Sequence, residues 1–428
     1  MSLFKNNFLI IVPCLLISFM PLFLISGPFL SDLSVVLVGI FFLINIILKK
    51  DYDFIKSKFS IIFVIFFLYL LINSTVNYYD YHTVRISLGY LRFGLFSLGV
   101  FYFLEKKQEL LKWLFYTFIF CFIILIFDGF YQYIFKYNIF NVQVDPGGRV
   151  SSLFGSELVL GSYLARLYPI FLGLTFYLFK TKKKIILFVT FLFILTEILI
   201  FLSGERSAFF LNTLAAIFVT LMVRDFKFIR FISLTLSIIL IFLITIYDDT
   251  AKKRMWDSTI NQIGINSKKI NLFSIVHESH YLSAYKMFLD KKFLGIGVRN
   301  FRNFCSQPEY FGEHERSCST HPHNTYIQIL AETGLIGFAF IILILFYFIF
   351  KCVLHFKGAI FQKKYYFNDF EICLLAAILI TIWPFVPSGN FFNNWISIIY
   401  YFPVGFLLWS LKKSDQKRKN LSLTIKQK

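Results

Sequence analysis

The chain has 428 residues, of which 57% are hydrophobic and only 16% charged, with a mean hydropathy of +0.69. A soluble domain carries about a quarter charged residues, so the composition excludes a water-soluble globular protein. The formal net charge of +19 would suit nucleic acid, but the lysines stand in short clusters between apolar runs, which argues against a nucleic-acid partner.

Apolar stretches close to the ~20 residues that cross a bilayer recur along the chain. They predict spans near 8–26, 29–48, 59–76, 84–104, 110–134, 156–179, 185–202, 207–223, 229–247, 326–350, 371–389 and 395–411. The expected fold is an all-α polytopic integral membrane protein with about twelve transmembrane helices. The first span is read as a membrane segment rather than a signal peptide. Pro13 and Pro21 interrupt it, no small-residue cleavage site follows, and another span comes at once.

Charge sets the expected orientation. One set of connections holds Lys5, Lys49, Lys50, Lys56, Lys58, Lys106, Lys107, Lys112, Lys180, Lys182, Lys183 and Lys184. It continues with Arg224, Lys227, Arg230, Lys351, Lys357, Lys363, Lys364 and the tail from Lys412 to Lys419. The short loops on the other side hold Arg85, Arg149 and Arg206. Both termini are therefore expected in the cytoplasm. The chain divides into nine helices over 1–247, an external cap over 248–325, three helices over 326–411 and a basic tail over 412–428.

The cap is too long for a structureless loop. Tyr281 to Leu289 has helical periodicity, and Gly295-Ile296-Gly297 is expected to end that helix and turn the chain, giving a mostly helical cap. Cys14, Cys121, Cys352 and Cys373 fall in or at the ends of spans, where Cys behaves as a small hydrophobe. Cys305 and Cys318 are the pair in the external loop, and a disulfide between them would stiffen the approach to His321-Pro322-His323-Asn324.

That histidine motif lies at the membrane edge, where buried polarity is costly and usually functional. Thr325-x-x-Gln328 has the capping-box pattern, which starts a helix at Thr325. His323 then sits beside a helix N-terminus, which attracts anions and disfavours the imidazolium. On the same side stand Arg149, Arg206, Arg254, Arg299, Arg302 and Arg316, and a planar guanidinium grips phosphate oxygens in pairs. Arg206 occupies a very short turn, Ser203-Gly204-Glu205-Arg206-Ser207. Asp248-Asp249 is the one acidic pair at a span end, and it reads as a solvated boundary rather than a metal site.

Several of these segments resemble the signatures of bacterial O-antigen ligases, a superfamily that includes O-antigen polymerases and protein O-oligosaccharyltransferases. His323-Asn324, followed after nine residues by Gly334-Leu335-Ile336-Gly337, is similar to the histidine signature. Ser203 to Ala208 resembles the external-loop arginine motif, and Phe288 to Gly297 with Asn300-Phe301 resembles the glycine turn upstream of the histidine. Arg149 to Gly155, leading into Gly161 and Tyr163, resembles the opening of the middle span. The chain departs from the pattern at His277-Glu278-Ser279-His280, where relatives often carry a second arginine; Arg254, Arg299 or His280 is the candidate replacement.

The resemblance implies glycosyl transfer from an undecaprenyl-diphosphate-linked glycan at the periplasmic face of the inner membrane, without a cofactor. The acceptor is a lipid A–core hydroxyl or another glycan. His323 is the expected base, supported by His321, Asn324 and His280. Arg206, Arg254, Arg149 and Arg299 are the expected diphosphate ligands, and no metal is required. A polymerase or protein O-oligosaccharyltransferase would use the same donor. A transporter is the non-enzymatic alternative, but it would place charges at mid-bilayer rather than at one face.

Overall fold

The computed structural model describes residues 2–77, 81–263, 273–312 and 314–426. The chain opens with α1 (Ser2–Ser18) and α2 (Met20–Ser26), which meet at a 56° bend just before Pro21. The first half of the bundle continues with α3 (Pro28–Lys49), α4 (Lys58–Val76), α5 (Tyr81–Lys106) and α6 (Leu110–Phe135). The second half contains α7 (Leu160–Phe179), α8 (Lys183–Leu202), α9 (Arg206–Met222) and α10 (Lys227–Tyr247). A cap follows, built of α11 (Asp249–Lys252), a π turn (Lys253–Asp257), α12 (Ser258–Ile263), α13 (Ile275–Asp290) and α14 (Phe301–Phe304). The chain then returns through α15 (Thr325–Phe361), α16 (Asp369–Thr381) and α17 (Asn394–Lys426).

Among the described residues, nine helices are long and apolar enough to cross a membrane, or ten if α1 and α2 form one bent span. This falls short of about twelve. α9 has 17 residues and α16 only 13, and at 1.5 Å per residue the latter is shorter than the hydrocarbon layer. The predicted span 371–389 stops at Thr381 because Pro384 and Pro387 follow, and a proline disfavours helix in the residue before it.

α5 packs against α3, α4 and α17, while α7 packs against α16, α8 and α9. Close aromatic contact binds the first group, as where Phe93 stacks on Tyr401 with ring centroids 5.9 Å apart. The lysine-rich connections gather at one end. Lys106 meets Asp51 at 3.1 Å, Lys412 meets Glu105 at 3.6 Å and Lys180 meets Asp225 at 2.6 Å. The cap occupies the other end. Asp248 belongs to it as a helix cap, accepting from the Thr250 and Ala251 amides at 2.8 and 3.1 Å and from Tyr133 Oη at 2.6 Å.

One interlock joins cap to bundle. α15 breaks at Gly334, whose φ is +62°, and the glycine turn of the cap lies against the break with Gly295 at φ +67°. The Leu335 amide donates to Lys292 O at 2.8 Å, Ile296 N to Ala331 O at 3.0 Å and Gly297 N to Glu332 O at 2.9 Å. Each strand of chain thereby satisfies peptide groups that the other leaves open, as a nonpolar surrounding demands. A Cβ at Gly334 would stand 2.3 Å from Phe293 O, and one at Gly295 2.5 Å from Ala331 O. The turn therefore does more than end α13, which begins upstream of the expected helix because Ser274 caps it through the His277 amide.

Candidate functional site

A cavity of about 1270 Å³ lies between the cap and the adjoining bundle ends. Six arginines line it: Arg149, Arg166, Arg206, Arg254, Arg299 and Arg302. Among the described residues none of the six forms an ion pair. Uncompensated charge at a membrane edge is expensive unless a ligand supplies the counter-charge.

The arginines form two groups. Arg149 and Arg254 pack over the turn that precedes Arg206. Arg149 Nε donates to Ser203 O at 3.1 Å and Arg254 Nε to Gly204 O at 3.4 Å. A Cβ on Gly204 would lie 2.9 Å from Arg149 Cγ and 3.2 Å from Arg254 Cγ. Arg206 Nη1 donates to Thr259 Oγ1 at 3.1 Å. Glu205 in the same turn makes no ion pair with them, although its charge acts on Arg149 and Arg166. Its carboxyl accepts from Gly161 N at 2.7 Å and from Ser162 N and Oγ at 3.1 and 2.7 Å, which caps α7 from outside. The second group is Arg299 and Arg302 on the glycine-turn side. Glu332, fully buried in α15, accepts from the Arg299 and Phe301 amides at 3.0 and 3.1 Å and from Gln328 Nε2 at 3.0 Å.

Four imidazoles cluster beside these groups, and His277, His321 and His323 line the same cavity. The His323 ring centroid lies 4.1 Å from that of His321, 5.2 Å from His280 and 5.5 Å from His277. His323 has φ +56°, and its carbonyl accepts from the Ser388 amide at 2.8 Å. Burial, with His321, His277 and His280 adding to it, pushes the His323 pKa down to about 3. His321 is lowered to about 4, by burial first and then by Arg302, His280 and Arg299, against a hydrogen bond to Ser388 O. His321 Nε2 donates to that carbonyl at 3.3 Å, so the Thr320 hydroxyl at 3.0 Å from Nδ1 acts as donor. Among the described residues no hydrogen bond engages the His323 ring, which leaves it able to meet a ligand.

Arg149, Arg206, Arg254, Arg299, His321 and His323 thus share one cavity, whereas Asn324 and His280 do not line it. His280 backs the His323 ring and donates from Nε2 to Arg316 O at 2.7 Å. Asn324 is the N-cap of α15, accepting from the Tyr326 and Ile327 amides at 3.0 and 3.1 Å. This corrects the expected Thr325–Gln328 capping box. Thr325 Oγ1 instead contacts Ser388 and Tyr400, and Gln328 Nε2 bonds Glu332 and Asn390. Cys305 and Cys318 are joined by a disulfide with Cα atoms 5.0 Å apart.

Arg302, grouped in the sequence with the arginines of that side, lines the cavity too, whereas Arg166, His277 and Pro387 to Asn390 line it without having been expected there. Arg166 is a charge inside an apolar span, and Pro384 with Pro387 marks a non-helical segment. Both signals were available.

A search of curated proteins finds no match to the chain. The family model described as O-antigen ligase matches residues 188–342, from α8 into the broken helix α15. That stretch contains Arg206, Arg254, Arg299, Arg302 and the whole imidazole cluster. Over this stretch, 155 of the 428 residues, and in the motifs within it, the chain is similar to the O-antigen ligase family, which supports an O-antigen ligase-like membrane protein.

Proposed function

We propose that this protein transfers a glycan from undecaprenyl diphosphate to a sugar hydroxyl of lipid A–core, at the periplasmic face of the bacterial inner membrane. The observation that carries the reading is a cavity lined by six arginines, none of them ion-paired among the described residues, beside a histidine whose ring makes no hydrogen bond among those residues. The lysine-rich end of the bundle faces the cytoplasm on this reading, which puts the cap and cavity outside.

In the reaction, the acceptor hydroxyl attacks the anomeric carbon opposite the diphosphate, and the configuration inverts. The new C–O bond forms as the bond to the phosphate oxygen breaks, and its electron pair leaves with the diphosphate. Arg206, Arg254 and Arg149 stabilise that charge, without a metal or a nucleotide. His323 takes the hydroxyl proton. A histidine lowered to about 3 is by itself a weak base. The donor corrects this, because a diphosphate brought beside the cluster favours the imidazolium and raises the pKa.

The test uses membranes carrying the protein, a lipid-diphosphate-linked donor, and three acceptors: lipid A–core, a lipid-linked repeat unit and a protein. Transfer to lipid A–core is expected. Arg206→Gln removes a charge-assisted contact of about 1.5–3 kcal/mol and lowers kcat/KM ~10- to 150-fold. His323→Ala lowers kcat ~10²- to 10⁴-fold. If His323→Ala leaves transfer intact while Arg206→Gln reduces it, His323 is not the base. Extension of the lipid-linked repeat alone would make the protein a polymerase, and transfer to protein alone an O-oligosaccharyltransferase.

A further inference from the structure

We propose that Arg299 and Arg302 form a second anion subsite, which binds a phosphate or carboxylate on the acceptor sugar. This rests on the transferase reading and names the acceptor's chemical class.

Three arginines around the Ser203-Gly204 turn already match a diphosphate in charge, and they lie on the His277 side of the cluster, where Arg206 helps burial and His280 lower the His277 pKa. Arg299 and Arg302 stand on the other side, near enough to His321 to lower its pKa after burial. The His323 ring is 4.1 Å from that of His321 and 5.5 Å from that of His277, so it adjoins a histidine of each cationic group. A base adjoining two anion sites is the arrangement in which donor and attacking molecule each bring a negative charge.

Among the described residues the pair makes no ion pair. Arg299 Nε and Arg302 Nε are buried without an acceptor, and Arg302 makes one side-chain bond, from Nη2 to Thr320 O at 3.2 Å. Glu332 is the nearby acid, but its oxygens are taken by two backbone amides and Gln328. Both residues line the cavity, where an anionic ligand can meet their charge. The backbone of Arg299 is held at φ +61° with its amide bonded to Glu332, which fixes where its side chain starts.

The experiment is calorimetric titration of the full chain in detergent, already saturated with undecaprenyl diphosphate. The probes are hexose 6-phosphate, hexuronate, neutral hexose and glycerol 1-phosphate, the last standing for a lipid headgroup. Hexose 6-phosphate or hexuronate is expected to bind at least ~10-fold more tightly than the hexose or glycerol 1-phosphate. Arg302→Gln weakens that binding ~10- to 100-fold and leaves undecaprenyl diphosphate affinity within about 2-fold. The proposal is overturned if undecaprenyl diphosphate abolishes binding of the sugar anion, if Arg302→Gln has no effect, or if glycerol 1-phosphate binds equally well. Since binding is read without turnover, failure of this subsite and failure of the transferase reading are separate results.

Discussion

Replacing Glu332 with alanine tests whether one buried carboxyl holds the cap loop against the membrane helix. Its two oxygens accept from Arg299 N and Phe301 N at 3.0 and 3.1 Å, and the side chain is fully buried. Truncation leaves both amides without an acceptor, at about 1–3 kcal/mol each. Local opening becomes correspondingly cheaper, so hydrogen exchange at each amide should accelerate ~5- to 150-fold in peptides covering 298–304. Glu332→Gln keeps one carbonyl oxygen but sets an NH₂ against the other donor, so a single amide should lose protection. Global unfolding would instead deprotect α7 and α8 as well, which the same digest reports. Unchanged exchange at both amides in Glu332→Ala would show that the carboxyl does not fix the loop, and the fixed Arg299 backbone would lose its basis.

Two further outcomes follow from the geometry. Gly334→Ala places a Cβ 2.3 Å from the Phe293 carbonyl oxygen at φ +62°. The left-handed backbone alone costs about 1–2 kcal/mol, and the clash is with backbone, so thermal stability in detergent should fall well beyond that of Leu335→Ala. The His323 pKa lies at about 3 against an ordinary 6.5, so on acidification the unfolded chain takes up this proton first. The stability that the neutral ring contributes is therefore present above pH 6.5 and is lost as pH falls toward 3. In pH–rate profiles, the acid limb of kcat should lie above that of kcat/KM for the donor, because bound diphosphate raises the pKa. Coincident limbs would contradict the role given to the donor's charge.

Much of the site was legible because its chemistry is charge in an apolar chain. His323, Arg149, Arg206, Arg254 and Arg299 stand out against Phe and Ile, and the structure brings them to one cavity. Residues whose role depends on pairing across the fold were less visible. Glu332 reads as one more polar residue in a helix, and only the folded chain shows it bonded to Arg299 and Phe301, some thirty residues upstream. Gly295 and Gly334 could each be read as a turn or a helix defect, but their mutual fit is a tertiary fact. The expected span 371–389 outruns its helix where hydropathy and helix diverge. Trp383 to Gly389 is apolar enough to extend a span, yet its prolines stop the helix and turn the segment toward the cavity.

The cluster of six arginines in one cavity also bears on how quickly the protein can recycle. On the proposed reading, donor and spent carrier present the same diphosphate to the same guanidinium groups. Whatever grip favours departure of the sugar then delays departure of the lipid. Turnover would be governed by escape of undecaprenyl diphosphate, and its accumulation in the membrane would act as a brake. Salt should ease that brake by screening the contact. Flux through the protein would then follow the rate at which other enzymes clear the used carrier.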